Sequence, residues 1–169
     1  MSGRDRPVVG QIFYVPLYEG GYAFGYASLI DKTTITLCSF FDLVSEPPEP
    51  PANLADLSLV LEDLPVGGAE FMKRKRYPEL RWIAIDQHMP GEVKARHTRF
   101  IMRSRPAFQL VDLADKSSKR VATDEEIARY LDLSVPFPPF TTKQVEKAVR
   151  HLDIDPKLIG IDRAAGTVH

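Results

Sequence analysis

The chain has one cysteine, no long hydrophobic run and no recognisable catalytic signature. Cys38 alone cannot form an intrachain disulfide, and a zinc site would have to draw its other ligands from elsewhere. The longest apolar runs fall far short of the roughly 20 residues that a bilayer-spanning helix needs. The opening residues, MSGRDRP, carry charge with no apolar stretch behind them. Neither a signal peptide nor a membrane anchor is expected, and a reducing, cytoplasmic setting is. No G-x-S-x-G elbow, Walker-type phosphate loop or dinucleotide fingerprint occurs. Gly20 and Gly21, with Gly25 beyond, are followed by no helix start and so make no phosphate cradle. These absences count against an enzyme, and no catalytic residue, metal ligand set or cofactor is assigned.

What is present describes an ordinary folded domain. Apolar content of 44% and charged content of 27% are globular values. A chain of 169 residues buries roughly 70% of the surface its unfolded form exposes, enough to hold together without staples. A single domain over residues 1–169 is expected. It is β-rich over 8–113, crossed by a proline-rich connector at 41–53, and helical over 123–155.

Residues 8–18, 22–30 and 33–40 read as a three-stranded meander. The first run is β-branched and aromatic, and Gly20-Gly21 supplies the positive φ angles of a tight hairpin. Asp31-Lys32 reads as the second turn. Both faces of the first strand carry apolar side chains, which places it deep in a curved or barrel-like antiparallel sheet. Pro16 cannot donate to a ladder, so the strand should bend or part from its neighbour there. Gly25 suggests a bulge or sharp bend. Pro47, Pro48, Pro50 and Pro51 favour an extended crossing of the surface or a linker. Residues 57–61 read as strand or short buried segment. Residues 81–85, 99–103 and 107–113 read as strands, the last two divided by a turn at Ser104-Arg105-Pro106.

The pattern then becomes helical, which makes the fold class α+β. Thr123 and Glu126 form a capping box. Residues 132–139 break the helix. Thr141 is expected to cap a second one, with Phe140 stapled against Val145 and with Val145, Ala148, Val149 and Leu152 as its apolar stripe. Pro156 limits its end.

A net charge of −1 conceals an asymmetry. Residues 33–72 hold no Lys or Arg, while Asp42, Glu46, Glu49, Asp56, Glu62, Asp63 and Glu70 fall inside; Lys73-Arg74-Lys75-Arg76 follows at once. The acidic stretch reads either as a surface that steers and blocks a basic partner, or as a solvated linker. Asp42, Glu46, Glu49, Asp56, Glu62 and Asp63 are the candidate partner contacts. The basic run, with Tyr77 and Trp82 near it, has the elements of a nucleic-acid module; a solvated loop paired with the acids is the plainer reading, and nucleic acid is not the expected partner. Asp86 and His88, two apart on a strand, share a face, and with His97 they are the one arguable metal or acid–base group. Surface positions of the loop 87–94, around the Pro90-Gly91 turn, are the plainer reading of them. Cys38, mid-strand, reads as a small buried hydrophobe.

The segment Gly10-Gln11-Ile12-Phe13-Tyr14-Val15-Pro16-Leu17, followed by Gly20-Gly21-Tyr22-Ala23-Phe24-Gly25 and later Phe40-Phe41-Asp42, resembles the opening of the Immunity protein 26 family. That resemblance covers about the first 45 residues. It implies a cytoplasmic antitoxin of a polymorphic-toxin or contact-dependent inhibition system, whose partner is the C-terminal effector domain of a cognate toxin. Pro16, Leu17, Tyr22, Phe24 and Gly25 carry the match and look like determinants of fold, not toxin contacts.

Overall fold

A computed structural model of the chain describes residues 6–31, 35–73, 75–133 and 140–153. Lys32, the first residues of the expected third strand, Arg74, most of the expected break at 134–139 and Pro156 lie outside these. Within them the fold is α+β. The meander forms as β1 (Gln11–Pro16), β2 (Tyr22–Ile30) and β3 (Ile35–Phe41), flanked by β4 (Leu59–Gly67) and β5 (Ile83–His88). All neighbours are antiparallel, in the order β4-β3-β2-β1-β5. The sheet is open, because β4 and β5 remain at opposite edges. A smaller antiparallel sheet joins β6 (Arg99–Met102), β7 (Gln109–Asp112) and β8 (Arg120–Val121). Two helices follow, α1 (Asp124–Arg129) and α2 (Phe140–Val149).

The hairpin forms as its glycines require. Gly20 and Gly21 sit at φ 91° and 78°, and Leu17 N–H donates to Gly21 C=O at 3.1 Å. Pro16 ends β1 while still opposite Tyr22. Gly25 serves a purpose other than the expected bulge. It lies between Phe13 of β1 and Phe40 of β3, and a Cβ there would come within 2.9 Å and 3.0 Å of their rings and 2.7 Å of Ser39 C=O. The missing side chain is the space those rings fill. The register shift falls later, between Ala27 and Leu29.

One face of the large sheet carries the main core. Trp82 stacks on Phe13 with centroids 5.5 Å apart, and Phe40 and Phe71 meet it edge-on. Val145, Ala148 and Val149 of α2 close over this cluster, and Trp82 Nε1 donates to Thr142 Oγ1 at 2.9 Å. The helix already includes Phe140, so Thr141 is a buried helical residue and not the cap; Phe140, 58% exposed, staples nothing. The C-terminus is a Schellman turn: His151 takes φ 55°, its N–H reaches Ala148 C=O, and Leu152 N–H reaches Lys147 C=O. That turn swings Leu152 off the apolar stripe into solvent. The helix also grips the hairpin tip. The buried Glu146 carboxylate accepts from Tyr18 N–H (2.9 Å) and Glu19 N–H (2.8 Å), and Arg150 donates to Gly20 C=O (2.6 Å).

Candidate partner-binding surface

Alternation along the strands puts a second set of aromatics on the opposite face of the large sheet. Ile12, Phe24, Phe41 and Leu54 are its buried centre; Tyr14, Tyr22, Tyr26, Leu57, Ile85 and Met89 are half-buried around them. Tyr14 and Tyr22 meet edge to face at 5.4 Å. Burial pushes the Tyr26 hydroxyl above its usual range, against the effect of its hydrogen bond to Ser39, so it remains a neutral donor at physiological pH. The proline-rich segment crosses this face. Ser45 pairs with Tyr22, Asp42 N–H donates to Ser58 C=O at 2.8 Å, and a 3-10 turn at Leu54–Asp56 inserts Leu54 among the aromatics. Rigid prolines between two pinned ends hold the acids in place.

The six candidate acids divide. Glu46, Glu49 and Asp56 stand exposed on the crossing segment, and none is in an ion pair with a described residue. Asp42 accepts from His151 Nε2 at 2.8 Å, tying the end of β3 to the end of α2. Glu62 and Asp63 lie on β4. Glu62 meets His97 Nε2 at 3.0 Å and Arg96 at 3.3 Å. Asp63 is 2% exposed, holds φ 52°, and accepts from Ser28 Oγ (2.5 Å), Arg96 N–H (2.9 Å) and His97 N–H (2.8 Å). A carboxylate so enclosed cannot meet a partner. Asp63 is internal cement between the two sheets, and Glu62 supports the same joint.

The basic run loses half of its expected chemistry. Lys73, Lys75, Arg76 and Tyr77 are exposed, but Trp82 is fully buried in the core and cannot stack a base. The acidic crossing packs on one face of the sheet, while the basic loop is anchored by Phe71 and Trp82 on the other. No ion pair joins the two among the described residues. Asp86 and His88 are exposed on β5, at the edge opposite β4, where His97 is held. Four strand spacings, about 19 Å, separate those edges, so the three do not form one site. Burial and Asp63 push the Cys38 thiol well up, making it a packing residue and not a nucleophile.

A cavity of about 200 Å³ on the small sheet is lined by Arg99, Asp112, Asp115, Ser118 and Arg120 among others. Its charges are engaged locally: Asp112 accepts from Thr98 Oγ1 and Ala114 N–H, Asp115 from Ser117, and Arg120 pairs with Glu126. What remains is a half-buried tyrosine face, crossed by the proline-rich segment and bordered by carboxylates that have no ion-pair partner among the described residues. Single-sequence reasoning found the carboxylates and missed the face. The tyrosine spacing Tyr14, then Tyr22 and Tyr26, all in one period-2 register across a hairpin, was the signal that could have found it. No helix among the described residues is long and apolar enough to cross a membrane. No protein-family model, no curated protein and no solved structure matches the chain.

Proposed function

We propose that this chain is an immunity protein that binds a cognate bacterial toxin effector domain in the cytoplasm and neutralises it by covering its working surface. The observation that carries this reading is the set of exposed carboxylates Glu46, Glu49 and Asp56, held on a rigid crossing segment beside Tyr14 and Tyr22. Tyrosines give rigid, amphipathic contact area, and free acids around them steer a basic surface into register. An interface of roughly 1,600 Å² is of the size stable complexes use. The resemblance of the opening hairpin to the Immunity protein 26 family supports the same reading. The protein works by binding, with no turnover, cofactor or metal.

The test is co-purification of the full chain with the C-terminal domain encoded by the adjacent gene, followed by a growth-rescue assay. Capture of that domain together with restored growth is the expected result. Growth arrest that the protein leaves unrelieved, with no complex on a sizing column, would overturn the assignment.

A further inference from the structure

The local hydrogen bonds around the cavity of the small sheet do not exhaust the charges that line it. Arg99 of β6 lies opposite Asp112 of β7, and Arg120 of β8 lies opposite Leu110. Alternation along β7 puts Leu110 and Asp112, and with them both arginines, on one face of that sheet. The connection from β7 to β8 passes through a 3-10 turn at Lys116–Ser118, capped by Asp115, and brings Asp115 and Ser118 to the same cavity.

The bonds on the two aspartates are one-sided. Asp112 accepts from Thr98 Oγ1 and Ala114 N–H through Oδ1 alone, and Asp115 accepts from the Ser117 N–H and hydroxyl through Oδ1 alone. Oδ2 of each accepts no hydrogen bond from a described residue. Arg99 Nε stands 3.8 Å from Asp112 Oδ2, an ion pair too long for a hydrogen bond, and the Nη fork of Arg99 has no hydrogen-bond partner among the described residues. Arg120 differs: its Nη atoms go to Glu126 and to Val121 C=O, so it walls the cavity with its charge already matched. The Ser117 hydroxyl and N–H hold the Asp115 carboxyl below its usual range, which keeps it charged at neutral pH. One open guanidinium fork and two open carboxylate oxygens therefore share one small space.

An ion of a single sign meets a like charge there, an anion the two aspartates and a cation Arg99. A molecule carrying both charges meets a complement for each. The cavity's volume of about 200 Å³ is below the roughly 300–1,000 Å³ of pockets for drug-sized ligands, so the molecule is small. We infer that this cavity binds a free α-amino acid as its zwitterion. The carboxylate lies on the Nη fork of Arg99, the ammonium donates to Oδ2 of Asp112 and Asp115, and a small side chain rests against Leu110. The site belongs to the small sheet and not to the tyrosine face of the large one, and it does not depend on the protein-docking reading above.

L-alanine is the probe, titrated into the full chain while amide chemical shifts are followed. Saturable shifts are expected at residues 99 and 110–120, with a dissociation constant of about 1 mM, attainable for a ligand of so few atoms. Acetate and methylammonium, each carrying one half of the zwitterion, should bind at least about tenfold more weakly. Arg99→Gln removes the fork, and Asp115→Asn removes a charge while keeping a side chain that can cap the turn. Both positions are exposed, and each change should weaken L-alanine about tenfold, the worth of one charge-assisted hydrogen bond. If a variant fails to fold, the comparison of L-alanine with its two halves on the wild type decides alone. Absence of a saturable shift with L-alanine overturns the site. Acetate or methylammonium binding as tightly as L-alanine overturns the zwitterion, and unchanged affinity in both folded variants overturns the residue assignment.

Discussion

Two groups of acids lie within one unbroken acidic stretch, and they behave as opposites. Glu46, Glu49 and Asp56, on the proline-rich crossing, are exposed and without ion-pair partners among the described residues. Glu62 and Asp63, a few residues on, sit on β4 and bind the Arg96–His97 segment. The difference is one of surroundings. A carboxylate on a strand that packs against a neighbouring segment is stabilised by donors and becomes structural, and removing it leaves those donors buried and unpaired. A carboxylate on a loop keeps its hydration and is available for long-range steering at little cost to stability.

Substitutions can break or sharpen this contrast. The largest effect is expected at Asp63. Asp63→Ala strands the N–H groups of Arg96 and His97 and the Ser28 hydroxyl, and should cost about 3 kcal/mol in urea unfolding. Asp63→Asn, which tolerates positive φ and still accepts, should cost less. Glu146 extends the structural class to α2: Glu146→Ala releases Tyr18 and Glu19 N–H at the hairpin tip and should cost about 2 kcal/mol by the same measurement. If either loss proved negligible, the cement role would be wrong.

The exposed class should respond the other way. The triple change Glu46→Gln, Glu49→Gln, Asp56→Asn should alter unfolding free energy by no more than about 0.5 kcal/mol. It should nevertheless slow association with the effector domain about tenfold at low ionic strength, with the difference shrinking as salt is added. An association rate indifferent to the three charges would remove steering from the account.

The smallest effect belongs to Glu126, an intermediate case. The Arg120 guanidinium holds its carboxyl below the usual range, and Thr123 N–H assists. A depressed folded value means stability that is present above the unfolded carboxylate range and lost as pH falls through the folded value. Urea unfolding between neutral pH and about pH 3 should therefore show a shallower acid loss in Glu126→Gln than in wild type, by a few tenths of a kcal/mol at this surface position.

Much of this was legible beforehand and some was not, for a consistent reason. The Gly20-Gly21 hairpin, the three-stranded meander and the Thr123–Glu126 capping box were readable, the box forming with both of its hydrogen bonds. Pro65 concealed the length of β4, because a proline in a strand argues against it until the strand is known to be an edge. Trp82 beside a basic run looked like a stacking platform, and only the packing of Phe13, Phe40 and Phe71 around it withdrew it from solvent. Asp63 looked like its neighbours because nothing in Leu61-Glu62-Asp63-Leu64 tells which acid turns inward.

The sequence alone determined the Gly20-Gly21 turn, the Thr123 cap and the charge asymmetry, because each depends on residues close together along the chain. Tertiary structure decided which acids are buried, and which aromatics form the core and which form a surface. Those outcomes depend on segments 34 to 128 residues apart, such as Asp63 with His97 or Glu146 with Tyr18, and burial is a property that only such long-range contacts confer.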